Sequence, residues 1–120
     1  MEPLIDQEAL LERVDGDPGF LASMIGIFVA DAPVRLEAIR AAVRGADAHA
    51  LEHAAHSLKG SLATMAAEGA AKDAFALEEL GRSGRVEGAA VALARLERRV
   101  AQVTAALQDL LGRLTPDDAA

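Results

Sequence analysis

An all-α fold, an antiparallel four-helix bundle with a short additional N-terminal helix, is what this sequence predicts. Aromatic residues make up only 2% of it, three Phe with no Trp or Tyr, while Ala and Leu abound. Strands draw on β-branched and aromatic residues, so this composition favours helices. Apolar residues recur at steps of three and four along most of the chain, and no period-two alternation appears. The 120 residues fit one domain spanning 1–120. That length supports a core without cross-links, and there are no cysteines to supply disulfides or thiolate metal ligands. The bundle is expected over about 6–114, with a loose tail at 115–120. Met1 and the compact length favour a free-standing protein.

Asp6 is placed to cap a short first helix carrying Leu10, Leu11 and Val14, with Leu4 and Ile5 ahead of it to staple its start. Asp15-Gly16 ends that helix. Asp17-Pro18 reads as an N-cap followed by proline at the first helical position. Phe20, Leu21, Met24, Ile25, Ile27 and Phe28 then recur at helical spacing. Pro33 lacks an N–H and predicts a kink or restart, with Asp31 available to cap it. Val34, Leu36, Ile39 and Val43 carry the pattern to Gly45, a C-terminal stop. Asp47 caps the next helix, which runs into the 65–67 region, and Glu68-Gly69 marks a bend or break. A further helix passes through Phe75, Leu77 and Leu80 and ends at Gly81-Arg82-Ser83-Gly84, read as a loop. The last helix is the longest. Its seam is Leu93, Leu96, Val100, Val103, Leu107, Leu110 and Leu114, narrow enough for a coiled coil. The other helices need a partner for their apolar faces, so the seam is assigned to the bundle interior and a monomer is expected.

Composition excludes several functions. A formal net charge of −7 is a poor match for nucleic acid, whose phosphates call for clustered Lys and Arg. No apolar run approaches the length of a membrane span, and the N-terminus lacks a signal pattern. A cytoplasmic protein without membrane contact is expected. No Gly-rich phosphate loop and no Mg²⁺ carboxylate cluster is present, so the chain is not expected to draw phosphate from ATP.

The informative stretch is Ala54-Ala55-His56-Ser57-Leu58-Lys59-Gly60-Ser61. On a helix, Leu51, Ala54, Ala55, Leu58, Leu62 and Met65 share the core side. His56 falls almost opposite, facing water, and the outer face beside it holds the small residues Gly60, Ala63 and Ala67. Lys59, one of two lysines in the chain, stands one step round from His56. Glycine inside a helix costs about 1 kcal/mol relative to alanine, so Gly60 suggests close approach by another surface. A free imidazole titrates near about 6.5, so at neutral pH its nitrogen can attack phosphorus. Lys59 supplies a point charge for phosphoryl oxygens. Phosphoryl transfer depends mainly on such positioning and charge neutralisation.

His56-Ser57-Leu58-Lys59-Gly60-Ser61, preceded by Ala54-Ala55, resembles the signature of histidine-containing phosphotransfer (HPt) domains. Leu10-Leu11-Glu12-Arg13 followed by Gly16-Asp17, Phe28 with Pro33 beyond it, Ala46-Asp47, Leu77-Glu78 and Gly81-Arg82 extend the resemblance over roughly residues 6–114. It implies a phosphorelay intermediate of two-component signalling, relaying phosphoryl groups between receiver-domain aspartates. It casts His56 as the phosphoacceptor and Lys59 as the residue that steadies the phosphoryl group. Gly60, Ser57 and Ala63 then form the receiver docking face, which is expected to extend onto the second helix. The partners implied are response-regulator receiver domains and a sensor or hybrid histidine kinase. Mg²⁺ belongs to the receiver, and the chain has no cofactor of its own. The sequence departs from the family in carrying Ala66 where many members have glycine ten residues after the histidine. It also has alanines, with Asp73 among them, early in the following helix.

Two other readings compete. His49, His53 and His56, spaced by four and three with Glu52 nearby, suggest a metal-binding helical protein, because Zn²⁺ accepts histidine pairs at such spacing. One helix alone leaves such a site open to water, so no metal is expected. A receiver-docking module without phosphotransfer is the second alternative.

Overall fold

Aspartates start the first three helices, as their positions in the sequence predict. In the computed structural model, which describes residues 3–114, the Asp6 carboxylate accepts a hydrogen bond from the Ala9 amide and opens α1 (Gln7–Arg13). Asp17 accepts from the amides of Gly19 and Phe20, with Pro18 as the first residue of α2 (Pro18–Arg44). Asp47 accepts from the Ala50 amide at the start of α3 (Ala48–Thr64). Each cap satisfies amides that the first helical turn otherwise leaves unpaired. Then α4 (Glu68–Arg82) begins behind Ala67 without a side-chain cap, and α5 (Ala89–Leu114) completes the described chain. The expected tail, 115–120, lies outside the described residues.

The helix ends share a different device. After α1, the amides of Gly16 and Asp15 donate to the carbonyls of Leu11 and Glu12; after α2, those of Asp47 and Ala46 donate to Ala42 and Val43. After α3, Ala67 and Ala66 donate to Leu62 and Ala63, and after α4, Arg85 and Gly84 donate to Leu80 and Gly81. This paired 6→1 and 5→2 pattern is the Schellman motif, which puts one residue in the left-handed region. Glycine holds that place only after α4, where Gly84 has φ +73°. Asp15, Ala46 and Ala66 hold it elsewhere, with φ of 51°, 51° and 58°. The expected stop at Gly45 holds, since Gly45 is the C-cap after Arg44 with φ −86°, and the left-handed residue of the turn is its neighbour Ala46.

Around the core, α2 packs on α3 and α5, and α4 packs on α3 and α5, so these four helices close a ring. Outside it, α1 is tied to the end of α3. The Asp6 amide donates to the Ala66 carbonyl at 2.9 Å, and Arg13 Nη1 donates to the carbonyls of Ala63 and Thr64 at 2.7 and 2.6 Å. The seam of α5 lines the core as expected, with Leu93, Leu96, Val100, Val103, Leu107 and Leu110 all buried and Leu114 half-buried. Leu10, Val14, Leu51, Ala55, Leu58, Leu62 and Leu77 join it.

Four expectations are corrected, and one set of residues takes a face that the spacing left open. Pro33 does not restart α2, which is continuous through it, and Asp31 pairs with Arg35 instead of capping. The lost backbone bond and ring clash, about 3 kcal/mol, are offset because one apolar face grips both halves: Leu21, Ile25, Phe28 and Ala32 up to the proline, and Leu36, Ile39 and Ala42 beyond it. Gly81 and Arg82 are helical, not loop. A Cβ on Gly81 would stand 2.5 Å from the Glu52 nitrogen and 2.7 Å from the Ala48 carbonyl oxygen, so this glycine is where α4 meets α3 backbone to backbone. Ala67 is buried at the start of α4 rather than exposed beside His56. Phe20, Ile27, Val34 and Phe75 share the helical spacing of the core residues but face outward. Finally, α2 is long and apolar enough, by length and composition, to cross a membrane. Its apolar residues divide between the buried face and the exposed Phe20, Ile27 and Val34.

Candidate functional site

Helix α3 presents His56 as the sequence predicts. Leu51, Ala55, Leu58 and Leu62 anchor the inner face of the helix, and the His56 side chain stands 66% exposed on the outer one. Ser57 and Gly60 are exposed beside it, and Ala63 is half-buried one turn further on. A Cβ on Gly60 would meet nothing within 4 Å, so the fold itself does not require glycine there.

The residue that sequence reasoning left without a role is Glu78. It comes from α4 and is only 3% exposed, the one buried charged residue among the described residues. Its Oε2 lies 3.3 Å from His56 Nδ1 and 2.8 Å from Arg82 Nη2. Its Oε1 lies 2.8 Å from Lys59 Nζ. Lys59 thus faces a carboxylate rather than open solvent, and its ammonium also sits 4.9 Å from the centre of the Phe75 ring, within cation–π range. Arg82 extends the cluster outward to Glu79 Oε1 at 2.5 Å and Glu52 Oε2 at 3.4 Å.

Burial works to push the Glu78 carboxyl up, but the hydrogen bonds and charges of Lys59 and His56 outweigh it. Glu78 is held below the usual carboxylate range. It is therefore ionised at neutral pH, and an ionised carboxylate only accepts. Its contact with His56 assigns the ring proton to Nδ1 and leaves Nε2 as the nitrogen with a free lone pair. The sequence carries a signal for this residue. Ala70, Ala71, Ala74, Leu77, Glu78 and Gly81 form the buried stripe of α4, and Glu78 is the charge that interrupts it.

The three histidines do not converge on a metal. His49 and His53 meet edge to face, with ring centres 4.3 Å apart, while His56 turns to Glu78 on the neighbouring helix. Among the described residues, no three His, Asp or Glu side chains are grouped to hold an ion. Asp73, the unexpected acid among the alanines of α4, pairs with Arg99 of α5 at 3.4 Å.

A groove between α2 and α3 runs past the site. One stretch is lined by Met24, Ile27, Asp31, Ser61 and Thr64 among others, and the next by Asp31, Val34, Arg35, Ala54 and Ser57. Ile27 and Val34, 69% and 67% exposed, stand along it. Their exposure has no rationale in the core.

The site is an exposed histidine beside a buried acid, on one face of a helical ring. The model of the Hpt domain family matches residues 23–115. The crystal structure of histidine-containing phosphotransfer protein B (HptB) from Pseudomonas aeruginosa PAO1 is similar at 30% identity with a TM-score of 0.79, over 94% of this chain and 98% of that one. No curated protein sequence matches. The chain belongs to the Hpt domain family, and it is a histidine phosphotransfer intermediate of phosphorelay signalling.

Proposed function

We infer that His56 Nε2 is the phosphoacceptor, receiving a phosphoryl group from a receiver-domain aspartate and passing it to another. The observation that carries this reading is the 3.3 Å contact of Nδ1 with Glu78, which leaves Nε2 both unprotonated and directed away from the buried acid. The Nε2–P bond forms as the P–O bond to the receiver's aspartate breaks, and the bonding pair leaves with that carboxylate. Lys59, whose ammonium shares the Glu78 carboxylate with His56, is read as the cation that steadies the phosphoryl oxygens. Mg²⁺ and the aspartate belong to the receiver, and a histidine kinase stands upstream. The chain is read as a carrier without kinase activity of its own, a reading supported by the lack of a phosphate-binding loop in its sequence.

The receiver docks over Gly60, Ser57 and Ala63 and along the α2/α3 groove, covering Ile27 and Val34. The four-helix ring is read as an antiparallel bundle, because three-to-six-residue connections join successive helices. The use of the α5 seam and the inner face of α2 inside that bundle supports a monomer, and a cytoplasmic location is read from the sequence.

Incubation with a phosphorylated receiver tests the assignment. Acid-labile, base-stable label is expected on the wild-type chain and none on His56→Gln. That variant is expected to keep its helicity, since the side chain it replaces is 66% exposed. Label that persists on His56→Gln contradicts the assignment. A wild-type chain that binds the receiver yet never takes up label favours the docking module instead.

A further inference from the structure

We propose that Glu78 is a positioning residue that exchanges charge partners when His56 is phosphorylated, releasing Lys59 and taking the imidazolium of the phosphorylated ring in its place. The inference rests on His56 being the phosphoacceptor, and it concerns what the buried carboxylate does during the reaction.

Two anions compete for one ammonium at this site. In the unphosphorylated protein, Lys59 is the cation on Glu78 Oε1 at 2.8 Å. That oxygen is buried, and among the described residues Lys59 is the cation against it, so its neutralisation depends on this one ammonium. A phosphoryl group on Nε2 brings a second and stronger claim on the same ammonium. Withdrawing Lys59 from a buried carboxylate with nothing in return is strongly unfavourable.

The chemistry of the transfer supplies the replacement. A neutral imidazole with its proton on Nδ1 attacks phosphorus through the Nε2 lone pair. The Nε2–P bond forms, the P–O bond of the donor breaks, the electron pair leaves with the donor carboxylate, and no proton moves. The ring then carries both Nδ1–H and Nε2–P and is a cation. Its Nδ1–H points at Glu78 Oε2, 3.3 Å away. The charge that Glu78 loses in Lys59 it gains in the ring, with Arg82 fixed on the same oxygen at 2.8 Å. The other charged groups around the cluster are Glu52 and His53 on α3 and Glu79 on α4, with Glu68 and Lys72 of α4 lining the depression beside Lys59. Asp31 and Arg35 of α2 lie across Ser57 and are paired with each other. None of these is on Glu78 Oε1, so the exchange is confined to Lys59 and the ring.

The test reads the phosphorylated ring directly. The full chain is phosphorylated with ammonium phosphoramidate, and the ³¹P resonance of phosphorylated His56 is followed against pH in wild type, Glu78→Gln and Lys59→Met. The amide of Glu78→Gln keeps the shape and loses the charge. Its midpoint is expected about one pH unit or more below wild type, because an opposite charge at this range favours the protonated ring. In Lys59→Met the carboxylate no longer has a competitor for the ring, and the midpoint is expected at or above wild type. Coincident midpoints for wild type and Glu78→Gln overturn the exchange while leaving His56 as the phosphoacceptor. A Lys59→Met midpoint below wild type overturns it as well, and needs no buried substitution. Absence of any phosphohistidine resonance in the wild type sinks the phosphoacceptor assignment and the exchange together.

Discussion

Gly81 meets Glu52 backbone to backbone: a Cβ on the glycine would lie 2.5 Å from the Glu52 nitrogen and 2.9 Å from its α-carbon. This approach sets the distance between α3 and α4 one turn from the site. It lets Glu78, three residues before Gly81, reach under His56, four residues beyond Glu52. The expected effect of Gly81→Ala follows from two opposed terms. Alanine is favoured over glycine inside a helix by about 1 kcal/mol. The clash is with backbone, which cannot rotate away, and overpacking of this kind costs about 1–3 kcal/mol or more. Gly81→Ala should therefore lose up to about 2 kcal/mol in urea denaturation and slow phosphotransfer by parting Glu78 from His56. Gly26→Ala on α2, where a Cβ meets nothing within 4 Å, should gain about 0.5–1 kcal/mol. Equal effects at the two positions would remove the close approach as the cause.

The two alanines at left-handed helix ends make a paired prediction. A non-glycine residue in that region is disfavoured by about 1–2 kcal/mol, while glycine returns part of this through its greater freedom in the unfolded chain. Ala46 is exposed, so Ala46→Gly should stabilise the protein by about 0.5–1 kcal/mol. Ala66 is 3% exposed, and its methyl group contributes about 0.8 kcal/mol of burial that glycine forfeits. Ala66→Gly should be close to neutral. Thermal unfolding of the two variants separates backbone strain from methyl burial.

These alanines also mark what the sequence conveys and what it hides. Helix starts are legible because Asp6, Asp17 and Asp47 are local signals whose side chains act within three residues. Helix ends are less so, since Gly16 and Gly45 each lie one residue from the strained position, and the backbone pattern that decides the matter has no residue requirement strict enough to exclude alanine. The α5 seam reads correctly to the residue because that helix has one apolar stripe. On α2 the pattern overcounts, since Phe20, Ile27 and Val34 share its spacing but face outward, and no periodicity distinguishes a core face from an apolar docking face. His56 and Gly60 announce themselves by being unnecessary for stability. Glu78 needs the partner helix in place, because its role comes from contacts 19 and 22 residues away in the chain.

The depressed Glu78 carboxyl predicts how stability depends on pH. Burial pushes this group up, but Lys59 and His56 bring it below the ordinary range. A lowered native value means that the unfolded chain binds the proton more readily. The contribution is fully present above about 4.3, the value for an unfolded glutamate, and is lost as pH falls through the native value. Glu78→Gln has no such group. At pH 7 it should be about 1–3 kcal/mol less stable than wild type, since Lys59 and Arg82 then face a neutral amide. Between pH 5 and 3 the gap should narrow, with other carboxylates such as Glu37 contributing equally to both proteins. A gap that stays constant down to pH 3 would show that Glu78 acts through shape rather than charge.

The exposed apolar residues of α2 give a prediction that separates docking from folding. Ile27 and Val34 are among the most exposed large apolar side chains of the protein, and they line successive stretches of the groove that passes Ser61 and Ser57. Replacing either with serine removes little that the fold uses, so stability should stay within about 0.5 kcal/mol of wild type. If the receiver covers this groove, each substitution removes an apolar contact at a buried interface worth about 1–2 kcal/mol, a loss of about 5–30-fold in affinity. The loss should appear as a higher KM for the phosphorylated receiver, because neither side chain touches the His56 imidazole or the Lys59 ammonium. Val91→Ser, on α5 and outside the groove at 76% exposure, serves as the control and should leave transfer unchanged. Equal behaviour of Ile27→Ser, Val34→Ser and Val91→Ser would place the receiver elsewhere on the His56 face. A KM effect confined to the α2 variants assigns the apolar stripe of this helix to recognition.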